Sequence, residues 1–216
     1  MTQALTGRER QKQRTRRAIS DAAISLFLRH GFDAVSVADI AAAAEVSKPT
    51  LFKYFPAKED LVVHRFADHR AAAATAVRER PPGTSPLVAL HRDFVTALAR
   101  RDPITGLNDQ PEVIRFNALV YSTPSLVSRI GEYLAQAEDL LAQALADAAG
   151  DPAGPDVAAR LLAGQVIASQ RVLAHANWRR ILDGSTADAA APQAAADADL
   201  AFFGLRTGLG EALAHV

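Results

Sequence analysis

Hydrophobic positions recur at three- and four-residue spacing through most of the chain, the pattern of helices that each bury one face. The first stripe is Ile19, Ala22, Ala23, Leu26 and Phe27. It belongs to a helix read from Arg14 to about His30, stopped by Gly31, which suits a left-handed cap. A second stripe, Val37, Ile40, Ala41 and Ala44, follows Ser36, and Asp39 stands three residues on, where it completes a capping box with Asp in place of Glu or Gln. After the break at residues 44–46, Ser47 caps a third, short helix. Its Pro49 falls in the first turn, where a missing N–H removes no intrahelical bond. Leu51 and Phe55, four apart, form its inward pair, leaving Lys48, Thr50, Lys53 and Tyr54 outside until Pro56 ends the run.

The helical period continues to the far end. Helices are expected over residues 57–80, 85–101, 111–121, 124–149 and 157–182, with a last one from about residue 195. Residues 102–110 are turn-rich, residues 150–155 break the chain, and the Ala-rich stretch 186–196 around Pro192 reads as a low-complexity loop. With no competing strand pattern, the fold class expected is all-α. A basic arm and three-helix unit would occupy residues 1–58, and a larger helical domain residues 59–216.

Composition changes this picture in two ways. A chain of 216 residues that is 49% hydrophobic can bury a sizeable core, yet it has no apolar run near the roughly 18 residues that cross a bilayer. Together with the absence of cysteine, this leads us to expect a cytoplasmic protein without membrane association. The zero net charge, secondly, is unevenly spread. Residues 1–58 carry ten Lys and Arg against five Asp and Glu, and the remainder fourteen against nineteen. A basic module joined to a mildly acidic body suits a polyanion partner, although a solubilising tail would give the same count.

Two short helices joined by so short a turn make a helix-turn-helix, a unit whose second helix lies in the major groove of double-stranded DNA. Lysine neutralises phosphate, hydroxyls donate to phosphate oxygens, and a threonine methyl can meet a thymine. The candidate DNA-contacting residues are Arg14, Arg17, Ser36, Ser47, Lys48, Pro49, Thr50, Lys53, Tyr54 and Lys58. The segments LFLRHGF, VSVADIAAAA and VSKPTLFKYFPAKEDL, in this order, resemble the DNA-binding domain of the TetR family of transcriptional regulators over about residues 14–61. The resemblance implies a three-helix head, a connecting fourth helix, and a C-terminal domain for dimerisation and ligand sensing. It places Lys48, Thr50 and Tyr54 at positions that commonly contact DNA, and Lys58 at a phosphate-binding position. Two residues depart from the family pattern. Glu45 stands where glycine is usual, so the turn is expected to form without a positive φ, and Phe52 replaces a frequent tyrosine and has no hydroxyl to give a phosphate.

The function implied by the resemblance is that of a ligand-released repressor bound as a homodimer to a palindromic operator. A non-specific nucleoid-type DNA-binding protein, or a helical interaction protein without an effector, is the alternative. Residues 157–182, with small residues at Ala163, Gly164, Ala168 and Ser169, and the last helix, with Leu200, Phe203, Leu205 and Leu209, are the expected dimer surface. Phe94, Phe116, Asn117, Tyr121, Tyr133, Gln170 and Trp178 supply rings and a few polar groups, a mixture suited to a hydrophobic effector but equally to plain core. The segments YSTPSL and HANWR resemble the mycofactocin-type, acyl-CoA-responsive branch of the family, which points to an acyl thioester. Asp60, His64 and Asp68 share one helix face, but no second segment converges on them, so neither metal nor cofactor is expected. There is no nucleophile elbow, phosphate loop or dinucleotide fingerprint, and no enzymatic activity is expected.

Overall fold

A computed structural model describes residues 7–208, and all regular structure among them is helical. The chain separates into two compact units, residues 1–67 with 115–130, and residues 68–114 with 131–216. No helix among the described residues is long and apolar enough to cross a membrane.

The first unit is built on α1 (Gly7–His30), α2 (Val37–Ala43), α3 (Lys48–Tyr54) and α4 (Asp60–Val63). Helix α1 starts well before Arg14. Its early part is made of Arg, Glu, Gln and Lys, which are good helix formers but carry no apolar stripe for periodicity to detect. The described part of the basic arm is therefore helix, and residues 1–6 lie outside the described residues. Ile19, Ala23 and Phe27 of α1 meet Ile40 of α2, Leu51 and Phe55 around α3, and Leu61 in one buried cluster. The buried Ser20 hydroxyl donates to the Leu61 carbonyl at 2.7 Å, tying α1 to α4. Gly31 (φ +83) closes α1 as expected, its N–H donating to the Phe27 carbonyl.

The turn after α2 differs from expectation. Glu45 does adopt a positive φ, 53°, because the helix closes in a Schellman arrangement: the Glu45 N–H donates to Ala42 O and the Val46 N–H to Ala41 O. Those two bonds satisfy otherwise orphaned carbonyls and hold a non-glycine residue in a region it disfavours.

The continuous helix expected over residues 57–80 is also absent. It is divided into α4, a 3-10 helix over His64–His69, and α5 (Ala72–Arg78). His, Phe and Asp in that stretch are weaker helix formers than the alanines after them, and α5 begins without a side-chain cap.

The second unit contains α5, α6 (Pro86–Ala99), a 3-10 turn at Pro103–Thr105, and α9 (Val157–Leu182) and α10 (Ala187–Thr207). Helices α7 (Pro111–Ser122) and α8 (Pro124–Ala149) each contribute residues to both units. Residues 186–196 are not a loop. Ala187, Ala190, Ala194 and Ala198 form a buried stripe that Phe202 and Leu205 continue, so small side chains carry the pattern that larger ones carry elsewhere. The Thr186 hydroxyl accepts from the Ala189 N–H, and the Asp109 carboxylate accepts from the Ala187 N–H at 2.8 Å. Pro192 is tolerated inside α10 on its exposed side.

The turn-rich segment 102–110 is pinned from several directions. Asn177, 1% exposed, donates to the Thr105 carbonyl at 3.0 Å, Asn108 donates to the Arg101 carbonyl, and Arg101 pairs with Asp188. At Gly106 (φ +71) a Cβ would stand 1.9 Å from the Ala174 carbonyl oxygen, so no side chain fits.

Two substitutions test these turns by thermal denaturation. Glu45→Gly relieves the left-handed strain, about 1 kcal/mol, and should raise Tm by about 2–4 °C. Gly106→Ala adds left-handed strain to a backbone clash and should cost about 3 kcal/mol or more.

Candidate nucleic-acid interface

Helix α3 has seven residues, and its ends are set by local chemistry. The Ser47 hydroxyl accepts from the Thr50 N–H at 3.2 Å and lies 2.8 Å from the Thr50 hydroxyl, Pro49 sits in the first turn, and Phe55 closes the last. Leu51 (1% exposed) and Phe55 (0%) face inward as expected. Lys48, Pro49 and Lys53 are exposed, and Thr50 is half-buried. Tyr54 departs from the outward placement expected of it: it is half-buried and packs against the apolar cluster, one turn beyond Thr50.

The preceding helix presents Ser36. Its hydroxyl accepts from the Asp39 N–H at 3.2 Å while its own N–H donates to Asp39 Oδ2 at 2.9 Å, the reciprocal cap expected from the sequence. The Ser36 hydroxyl also donates to Asp39 Oδ2 at 2.6 Å; this bond first, and the Ser36 N–H bond second, hold the Asp39 carboxyl below the usual carboxylate range, and nearby Lys48 acts in the same direction.

On α1, Arg14 and Arg17 are exposed. Because α1 extends to Gly7, exposed Arg10 stands one turn before Arg14 on the same face, completing a ridge at i, i+4 and i+7. The spacing of these arginines was the signal for the third member; only the position of the helix start concealed it. Arg16 turns the other way, with its guanidinium 5.2 Å from the centre of the Phe55 ring.

Lys58 is half-buried. Its ammonium donates to the Phe32 carbonyl at 2.6 Å and lies 4.4 Å from the Phe32 ring centre, so it fastens the loop between α1 and α2. Asp60 is similarly engaged, accepting from the Ala57 N–H at 3.0 Å and pairing with Arg129 at 2.7 Å. His64 rests 5.5 Å from the Phe55 ring, and the Asp68 side chain lies outside the described residues.

The residues considered for an effector fall in both units. Phe116, Asn117 and Tyr121 lie on α7 in the first, where Phe116 stacks with Phe66 at 5.9 Å. Phe94, Tyr133, Gln170 and Trp178 lie on α6, α8 and α9 in the second. Phe94 is buried and packs on Phe202 at 6.4 Å; Tyr133 faces the Arg70 guanidinium at 5.9 Å; the largely buried Trp178 lies 5.6 Å from the His175 ring; Gln170 is half-buried.

A capped two-helix unit over a closed apolar cluster, with lysines outward and an arginine ridge beside it, defines a helix-turn-helix domain. Residues 19–64 match the family described as bacterial regulatory proteins, tetR family. It is similar to the HTH-type transcriptional regulator TcmR of Streptomyces glaucescens, 33% identical over 134 residues, which are 62% of this chain and 58% of TcmR. It is also similar to MftR of Mycobacterium tuberculosis, 45% identical over 62 residues, 29% of this chain and 31% of that one. The chain thus spans less than two thirds of the length of either relative. Among solved structures, Salmonella enterica GusR superposes with a TM-score of 0.54 at 20% identity, covering 91% of this chain and 96% of that one, a likeness of fold.

The capping box gives a pH test. A carboxyl held below its ordinary value stabilises the fold above the unfolded pKa, roughly 3.9, and loses that contribution as pH falls through the folded value. Ser36→Ala removes the bonds to the serine hydroxyl. Its Tm deficit relative to wild type should therefore be largest near neutral pH and shrink on acidification into the carboxylate range.

Proposed function

We propose that the chain is a sequence-specific transcriptional regulator that binds a palindromic DNA operator as a homodimer and is released by a small molecule, acting as a repressor in the cytoplasm. The observation that carries this reading is the outer face of α3, where exposed Lys48, Pro49 and Lys53 surround a helix held rigidly by Leu51 and Phe55. DNA contact is assigned to residues 1–58, and effector and partner binding to residues 59–216.

Dimerisation is supported by exposed apolar residues on the last two helices. Val157, Leu161, Val172 and Leu182 on α9 and Leu200 and Phe203 on α10 all present large side chains to solvent, Val157 at 73% and Leu200 at 71%. Ala168 is exposed among them, which permits close approach, whereas Ala163 and Leu205 are buried within the unit itself. Leu209 lies outside the described residues. A twofold protein also suits paired half-sites on DNA. For the effector, the rings and amide of Phe94, Tyr133, Gln170 and Trp178 fit a hydrophobic small molecule, with an acyl thioester the first to test.

Selection of full-length protein against a random duplex pool tests this function. One palindromic site should emerge, its half-sites about one DNA turn, roughly 34–36 Å, apart, and bind at least about a thousandfold more tightly than bulk DNA. Equal affinity for all duplexes would instead mark a nucleoid-type binder. Lys53→Ala should weaken binding and lower the salt slope by about one charge per protomer. Leu161→Glu combined with Phe203→Glu should sediment as a monomer and lose most operator affinity; a persisting dimer would remove α9 and α10 from the interface.

A further inference from the structure

A cleft of about 360 Å³ opens on the second unit, lined by His91 from α6 and by Asp199, Leu200, Phe202, Phe203 and Arg206 from α10. The residues assigned to the effector, Phe94, Tyr133, Gln170 and Trp178, line none of it. Asp199, Phe203 and Arg206 stand at i, i+4 and i+7 on one stripe of the helix, so the two charged ends of the cleft are roughly 10 Å apart along its axis. The ends differ. Asp199 is engaged, its Oδ1 lying 2.9 Å from His91 Nε2, and the imidazole rests 5.0 Å from the Phe202 ring. Arg206 is exposed and forms no ion pair among the described residues; its guanidinium stands 6.0 Å from the centre of the Phe203 ring.

Resting on the reading of α10 as part of the surface between two copies, we propose that this cleft is a ligand site for an aromatic monocarboxylate, and that filling it competes with pairing of the copies. Phe203, 56% exposed, and Phe202, 1% exposed, give the cleft ring walls that favour a flat apolar body. The unpaired charge is a guanidinium, whose planar fork binds a carboxylate through two parallel hydrogen bonds. Beside apolar walls that attraction is weakened less than in bulk water. Asp199 stands at the far end and its charge is engaged by His91, so it does not oppose an anion held at Arg206. The volume lies at the small end of the range for ligand pockets, which suits a body of one or two rings. Leu200, 71% exposed, and Phe203 also belong to the face assigned to the second copy, and a ligand covering them withdraws apolar surface from that contact.

The experiment titrates naphthoate into full-length protein by calorimetry, with naphthamide as its uncharged counterpart. Wild type should bind the acid saturably and the amide at least about tenfold more weakly, the value of a charge-assisted hydrogen bond. Arg206→Gln should weaken acid binding by about the same factor and leave the amide unchanged, Arg206→Lys should recover part of the loss, and Phe203→Ala should weaken both. In sedimentation at matched protein concentration, naphthoate should shift wild type from dimer toward monomer and leave Arg206→Gln unmoved. Unchanged melting temperatures would confirm that the variants, both at exposed positions, remain folded.

Naphthoate that fails to bind wild type, or that binds Arg206→Gln as tightly, overturns the site. Binding that depends on Arg206 while the dimer persists overturns the competition. Wild type that sediments as a monomer without ligand is a distinct result: it overturns the proposed dimer, and the comparison of acid with amide at Arg206 still decides the site.

Discussion

A helix of seven residues has almost no stability of its own, because the cost of its first turn is not recovered over so few bonds. Helix α3 exists because Leu51 and Phe55 are inserted into the cluster formed by Ile19, Phe27, Ile40 and Leu61. Full burial of each such side chain is worth roughly 1.5–3 kcal/mol, enough to hold the short helix in place. The same insertion fixes the rotation of α3 about its axis. That rotation alone decides that Lys48, Pro49, Phe52 and Lys53 face outward. The caps at Ser36 and Ser47 set where the helices begin, but the cluster sets which way they face.

The second unit relies on polar anchoring to a greater degree. Asn177 and the close approach of Gly106 to Ala174 fasten one side of α9 to the segment between α6 and α7, while Asp109 and Arg101 fasten the start of α10 to the same segment. Buried polar groups of this kind are costly unless paired, and here the Asn177 amide both donates to a carbonyl and accepts from Arg180. With that side of α9 committed, Leu161 and Val172 remain uncovered within the chain, which is why they are available to a second copy in the proposed assembly.

Much of the first unit was legible in the sequence because its signals are local. A serine followed three residues later by a carboxylate, a first-turn proline, and apolar pairs four apart each have a single mechanical meaning, and together they define α2, α3 and their caps. Features that depend on tertiary context were less legible. The early turns of α1 lack an apolar stripe, the buried alanines of α10 resemble low complexity, and the division of residues 57–80 has no proline or glycine to mark it. Glu45 shows the limit most clearly: its side chain argues against a left-handed turn, and the two carbonyls of α2 that need partners prevail. Of the candidate contacts, Lys48, Pro49 and Lys53 could be placed outward by counting residues. The inward packing of Tyr54 and the bond from Lys58 to Phe32 required the folded chain.

The separation between the two faces of α3 has an evolutionary consequence. Leu51 and Phe55 are buried and sustain the fold, whereas Pro49, Phe52 and Lys53 are exposed, so mutations on the outer face can accumulate at smaller thermodynamic cost. In the function proposed above, a duplicated copy could thus acquire new target preferences by drift at three or four codons while its scaffold stays under unchanged selection.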